Sequence, residues 1–212
     1  MLDFSANVNP GGPSPRVWAA LRQVDIAQHP DPRATPLRHA LAQRAGVAAE
    51  HVLVGNGSIE LLYALAIAYL RPADRVLIAS PTFGEYARAA AMMGAAVVYY
   101  PLWPGPDVTL DSHALLREVQ QAQPRLFFLC NPNNPTGTYL PHERVAYLVE
   151  QVAAIAPHTL VVLDEAFIRF VRGADMGRST ALLAGGNVLL LRSLTKDYAL
   201  TGLRVGYALA PP

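Results

Sequence analysis

Apolar residues along the chain fall into two recurring patterns. The first is a run of about four or five, closed by Gly, Pro, Asn or a charged residue: His51-Val52-Leu53-Val54, Val76-Leu77-Ile78-Ala79, Ala96-Val97-Val98-Tyr99-Tyr100, Leu126-Phe127-Phe128-Leu129-Cys130, Leu160-Val161-Val162-Leu163 and Asn187-Val188-Leu189-Leu190-Leu191. Short continuous apolar runs of this kind predict buried strands. The second pattern has helical spacing and fills the intervals. It predicts helices over 14–23, 35–45 and 61–70, one ending at Met93, and helices over 111–121 and 141–156. The last puts Val145, Leu148, Val149, Val152 and Ile155 on one covering face. Boundary chemistry agrees: Thr35 reads as an N-cap followed by Pro36, Asp111 as a second N-cap, and Gly185-Gly186 as a break before the last strand. Strands alternating with helices imply an α/β fold, a three-layer α/β/α sandwich with a mostly parallel central sheet.

Residues 1–13 are too rich in Asn, Pro and Gly for a regular element and read as an extended arm. Residues 1–30 are therefore taken as arm and short helix, and 31–212 as one large domain. With 52% hydrophobic residues among 212, the chain can bury a sizeable core, which excludes a disordered reading. A net charge of +1 spread along the chain proposes no nucleic-acid partner. The single Cys130 cannot form an internal disulfide, and the first residues lack a basic segment leading into an apolar one, so a reducing cytoplasm is expected. The most apolar stretch, 61–70, falls short of the roughly 20 residues of a membrane span. The histidines lack H-E-x-x-H spacing and no second cysteine exists, so no metal site is expected.

Candidate chemistry collects where the strands end, the edge at which open α/β sheets bind ligands. After 187–191 comes Arg192-Ser193-Leu194-Thr195-Lys196, and Arg204 follows; a Ser, a Lys and an Arg there can converge on one anion. Lys196 is a solvated charge or, in the apolar company of Leu194, Leu200, Leu203 and Val205, a nucleophile of lowered pKa toward an aldehyde. Gly55-Asn56-Gly57-Ser58-Ile59, between a strand and a helix, is a plain connection or a phosphate cradle of free N–H groups at a helix start. It lacks the Gly-Lys-Ser/Thr of a P-loop, so no nucleotide is expected. Phe83, just past a strand end, packs into the core or faces a ligand ring. Two Asn-Pro steps in Asn131-Pro132-Asn133-Asn134-Pro135-Thr136-Gly137 constrain one turn more than a plain connection needs. Asp164-Glu165 is a helix cap with a surface charge, or a carboxylate that keeps a ring nitrogen protonated.

Ser193-x-x-Lys196 followed by Gly202-x-Arg204-x-Gly206 resembles the cofactor-lysine signature of fold-type I pyridoxal-phosphate (PLP) enzymes, the aminotransferase class I/II superfamily. The other landmarks stand in the family's order over nearly the whole chain. The resemblance implies a PLP-binding large domain in which Lys196 carries PLP. It places Ser193, Arg204 and the backbone of Gly57, Ser58 and Ile59 on the phosphate, Phe83 on the ring face, Asn134 on the phenolic oxygen and Asp164 on the ring nitrogen, with Lys196 and Asp164 as the catalytic pair. Asp3-Phe4-Ser5-Ala6-Asn7-Val8-Asn9-Pro10 and Phe167 resemble threonine-phosphate decarboxylases of cobalamin biosynthesis. Histidinol-phosphate aminotransferases usually show Asn-Glu-Asn-Pro and a tyrosine at these places.

Asn7 and Asn9 are then substrate-side residues or, on their own chemistry, turn formers. His29 stands where these families have a Tyr-Pro whose hydroxyl reaches the PLP phosphate of a partner subunit, which implies a homodimer and an imidazole donor in that role. The expected function is decarboxylation of a phosphorylated amino acid, threonine phosphate. The alternatives are a histidinol-phosphate-type aminotransferase and a piece that binds PLP or a partner without catalysis. Family members continue past the lysine motif with a small domain carrying the arginine that grips the substrate carboxylate, so the chain is expected to be incomplete at Pro212.

Overall fold

The structure, a computed structural model, describes residues 6–102 and 110–212. Asp3, Phe4 and Ser5 of the arm motif, and most of the Pro-rich loop expected over 101–106, lie outside the described residues. In chain order the elements are α1 (Pro15–Leu21), α2 (Thr35–Ala45), β1 (Val52–Asn56), α3 (Ser58–Tyr69), β2 (Arg75–Ser80), α4 (Glu85–Met92), β3 (Ala96–Pro101), α5 (Ser112–Ala122), β4 (Leu126–Cys130), α6 (His142–Ile155), β5 (Leu160–Asp164), α7 (Met176–Ala181), β6 (Val188–Ser193) and β7 (Val205–Leu209). The strands form one seven-stranded sheet in the order β1-β7-β6-β5-β4-β2-β3. Only β7 runs against the rest, pairing antiparallel with β6 on one side and β1 on the other. The expected α/β/α sandwich with a mostly parallel sheet is what forms.

Side-chain alternation along the central strands feeds a core on each face. Phe127 and Leu129 of β4, Val161 and Leu163 of β5 and Leu190 of β6 point to the side of α2, α5 and α6. Phe128 and Cys130, Val162 and Leu191 point to the side of α3 and α4, where Leu62, Leu65, Tyr86 and Ala89 meet them. Truncating any one of these large buried side chains to Ala would cost about 2–5 kcal/mol. The same alternation carries Asp164, two residues after Val162, onto the α4 face. Strands β1 and β3 are edges, and Leu53 and Tyr99 there are exposed, so the expectation of burial holds only for the inner strands.

Two local expectations change and one holds. Thr35 is the first residue of α2 and not its N-cap: Ala34 takes that place in left-handed backbone, while the Asp31 carboxylate accepts from the N–H groups of Arg33 and Thr35. Asp111 does cap α5, accepting from His113 and Ala114. The segment 205–209, whose start was read as the tail of a motif, is a strand, and its reversal is what brings the Arg204 region back beside β1.

Candidate active site

Three strand ends and one helix start meet at the carboxyl edge of the sheet. Ser193 at the end of β6 sits opposite Gly206 of β7, and Gly206 opposite Gly55 of β1. A Cβ on Gly206 would lie 2.2 Å from the Ser58 nitrogen, so β7 passes directly under the first turn of α3. Gly57 has φ +80°, a conformation that favours glycine, and a Cβ there would lie 2.9 Å from Nη2 of Arg204. The guanidinium therefore rests against the turn. The first N–H groups of α3, at Ser58 and Ile59, have no intrahelical acceptor, and Gly57 offers no capping side chain. Ser193 Oγ is buried and 2.7 Å from Oγ1 of Thr195. Arg204 itself is exposed, with left-handed backbone and Nη1 donating to the Thr201 carbonyl at 3.3 Å. Helix-start amides, two hydroxyls and a planar cation on one small surface suit a dianion such as a phosphate monoester.

The far end of the site is built from buried side chains. Asp164 closes β5 and is 5% exposed. Tyr86 donates its hydroxyl to Asp164 Oδ2 at 2.7 Å, and the Ala166 N–H donates to Oδ1 at 2.9 Å. Burial pushes the Asp164 carboxyl above its ordinary value, while these two donors and the Lys196 ammonium act in the opposite direction. The helix-cap reading of Asp164 fails, since the next helical turn begins at Ile168 with Phe167 as its cap; one Asp164 oxygen accepts from the Ala166 N–H and the other from the tyrosine. Glu165 is a correction. It is no surface charge but 2% exposed, paired at 2.7 Å with the 3% exposed Arg192, which also donates to the Met176 carbonyl. The Glu165 N–H extends the ladder to Leu191, which keeps the residue inside the sheet. Burial and the Asp164 charge push the Cys130 thiol up to about 12, so it stays protonated and is not a nucleophile.

A cavity of about 510 Å³ is lined by the Asn134 turn, Phe167 and the arm at Asn7. The neighbouring asparagines explain why Asn134 faces it. Asn131 is spent on both backbone groups of Leu140, and Asn133 on Pro81, Thr82 and Thr136. Lys196 is half-buried, with Nζ 5.6 Å from the centre of the Phe167 ring. Its apolar company is chiefly Phe167, since Leu203, expected to surround it, is exposed. Phe83 is 37% exposed and meets Tyr86 edge-on at 5.6 Å and 81°, leaving a face free; the fully buried aromatic of this turn is Tyr86.

Asn9 is both turn former and latch. Its Oδ1 accepts from Gly11, and its N–H and Nδ2 donate at 2.9 Å to the carbonyls of Lys196 and Asp197. The structure does not bring His29 to the site: it is exposed and does not line the cavity. Sequence reasoning passed over Tyr86, Thr195 and the Glu165–Arg192 pair; the one available signal was an Arg inside an otherwise apolar strand, which has to find a buried anion. No group of His, Cys, Asp and Glu among the described residues is placed to hold a metal, and no helix of theirs is long and apolar enough to cross a membrane.

Comparison with known proteins agrees with this geometry. The chain is 38% identical over 216 residues to a histidinol-phosphate aminotransferase of Moorella thermoacetica, with all of this chain and 54% of the relative aligned. Among solved structures, the histidinol-phosphate aminotransferase of Sinorhizobium meliloti in complex with pyridoxal-5'-phosphate superposes with a TM-score of 0.88 at 29% identity, covering 97% of this chain and 55% of that one. The L-threonine-O-3-phosphate decarboxylase of Porphyromonas gingivalis gives 0.83 at 29% identity, covering 100% and 60%. The chain thus spans about half the length of the curated relatives it matches. The profile of the family described as "Aminotransferase class I and II" matches residues 1–212, and the chain belongs to that family.

Proposed function

We propose that this chain is the PLP-binding large-domain part of an aminotransferase of the histidinol-phosphate type. The observation that carries the cofactor is the gathering, at the carboxyl edge of one sheet, of a half-buried lysine, a buried carboxylate at a strand end and an anion cup made by a helix start and an arginine. The choice of reaction reverses the preference drawn from the arm and Phe167. Relatives at 38–40% identity over the whole chain carry the aminotransferase name, and among solved structures the decarboxylase, at the same 29% identity as the Sinorhizobium meliloti aminotransferase, superposes less closely. The decarboxylase reading keeps one observation in its favour: Phe167 presents an apolar ring to the cavity beside Lys196, where a tyrosine would present a hydroxyl.

When bound, PLP supplies an electron sink for the bonds at the α-carbon of an amino substrate. The chain's own residues supply the rest. Ser193, Arg204 and the amides of Ser58 and Ile59 hold the phosphate. Asp164 would hold a proton at the ring nitrogen, Asn134 would donate to the phenolic oxygen and Phe83 would cover one ring face. Lys196 Nζ would tether the cofactor and would be the chain's own amine for taking up and returning a proton at the substrate's α-carbon. The exposed Trp18, Leu21, Val24 and Ile26 of α1 and the turn after it, an element that buries none of its own residues, support a homodimer as the working form.

The test uses the complete gene product containing this chain. Borohydride reduction of the PLP-loaded protein should fix an adduct at Lys196, lost in Lys196→Ala. Histidinol phosphate with 2-oxoglutarate should yield glutamate, while threonine phosphate alone should release no CO2. An adduct at another lysine would remove the cofactor assignment, and CO2 release without glutamate would return the reaction to the decarboxylase.

A further inference from the structure

Tyr86 has no part in the roles assigned above, yet it touches both groups assigned to the ring. It sits in the first turn of α4, fully buried, its ring stacked on Phe128 with centroids 4.7 Å apart and planes 9° from parallel. One edge meets Phe83 at 5.6 Å, and the hydroxyl donates to Asp164 Oδ2 at 2.7 Å. The stacking on Phe128, itself in the middle of β4, leaves the phenol no other rotamer that keeps its volume filled. We infer that Tyr86 is a positioning residue. Its hydroxyl keeps the Asp164 carboxylate charged and aimed at the cofactor's ring nitrogen, and its edge fixes Phe83 for the ring face, so one buried side chain sets both contacts.

The inference deepens the proposed function and rests on its PLP assignment for the ring contacts, though not for the charge of Asp164. The groups facing that carboxylate are few. Cys130 from β4 is a neutral thiol, the adjacent Glu165, though paired with Arg192, pushes the Asp164 carboxyl up, and the Lys196 ammonium pulls it down. Burial and the Asp164 charge push the Tyr86 hydroxyl well above its ordinary value, so it remains a donor over the whole working range of pH. The Ala166 N–H serves the other oxygen. Without the phenol, Oδ2 would be a buried charged acceptor lacking its donor, a state relieved by taking up a proton. A protonated Asp164 no longer favours a positively charged ring nitrogen.

Tyr86→Phe keeps the ring and its stacking and deletes only the donor. In the unloaded protein, a 13C-NMR titration of the Asp164 carboxyl carbon should move to higher pH than in the wild type. In the PLP-loaded protein, the 15N resonance of labelled cofactor should move toward the unprotonated ring, and turnover should fall about tenfold with KM little changed, the size of one hydrogen bond to a charged group. Incorporating 3-fluorotyrosine at position 86, a stronger donor of nearly the same shape, should move the titration and the resonance the opposite way. Unchanged carboxyl midpoint and ring-nitrogen resonance in both variants, whatever happens to the melting temperature, would overturn the inference. A wild-type protein that binds no PLP would overturn the proposed function and the ring half of this inference together, and the titration in unloaded protein tells that failure apart from a failure of the Tyr86–Asp164 contact.

Discussion

The two ends of the site are made of different material. The anion cup is backbone: glycines at 57 and 206 let two chain segments and a guanidinium approach within contact distance, and its one large side chain, Arg204, is in solvent. The ring end is side chain: Tyr86, Asp164, Glu165 and Arg192 are all buried and each is satisfied by a named partner. Damage should therefore take two forms. At the cup an added atom does harm because there is no room, whereas at the ring end a removed atom does harm because a buried partner is left alone.

The largest effect is expected at the ring end. Arg192→Ala abandons the Glu165 carboxylate in the interior, and breaking a buried pair in this way costs about 3–5 kcal/mol. For a domain of this size that is a drop in melting temperature of roughly 6–20 °C, measured by calorimetry. Replacing both partners by apolar residues, Glu165→Leu with Arg192→Met, should recover most of it, because no charge is then stranded. A loss under about 1 kcal/mol in Arg192→Ala, the size of an exposed pair, would mean that the buried network does not hold this end together.

At the cup, Gly206→Ala is the sharper probe. The new Cβ would meet backbone, the Ser58 nitrogen at 2.2 Å, which cannot swing aside as a side-chain tip can. Either β7 or the start of α3 must shift. The expected cost is about 1–3 kcal/mol of stability, typical of overpacking, together with a clear loss of PLP affinity in a titration. Gly202→Ala is the control within the same motif. A Cβ there meets nothing within 4 Å, so both quantities should stay within about 0.5 kcal/mol of the wild type. Equal behaviour of the two variants would show that close backbone approach is not what builds the cup.

How much of this could be read from sequence follows the same division. The strands were legible because inner parallel strands are apolar at every position, and the helices because their faces repeat; Asp111 capped as its chemistry dictates. The turn at Gly57 was legible in its glycines, and the roles expected of Lys196, Asn134 and Asp164 came from motif spacing. Contacts set by tertiary packing were not. Nothing local says that Tyr86, and not Phe83, is the buried member of its turn, or that Glu165 turns inward to meet an arginine on the neighbouring strand. Thr35 looked like a cap because Thr-Pro often is one, but the Asp31 carboxylate four residues earlier took the donors. β7 escaped notice because its first residues were already absorbed into a motif. His29 was assigned to the phosphate by resemblance alone, and its exposure gives that assignment no support within this chain.

Arg204 yields the smallest effect on stability and the most direct test of the contrast between the two ends. Read as a buried clamp, its loss would cost PLP binding as much as breaking an internal charge pair. The structure places the guanidinium in solvent over the Gly57 turn, anchored by one bond to the Thr201 carbonyl. Water and salt then weaken its attraction for a phosphate, and the helix-start amides of Ser58 and Ile59 stay in place when it is gone. Arg204→Ala should therefore weaken PLP binding by about 1–3 kcal/mol, between an exposed ion pair and a full charge-assisted bond, with little change in melting temperature of the unloaded protein. The difference between wild type and variant should shrink as salt rises from 0.1 M toward 1 M, where the screening length falls from about 10 to about 3 Å. Arg204→Lys, which keeps the charge but not the planar fork, should fall between the two. A loss above about 4 kcal/mol that salt leaves untouched would mean that the arginine becomes buried when the cofactor binds, and that the cup closes over its ligand.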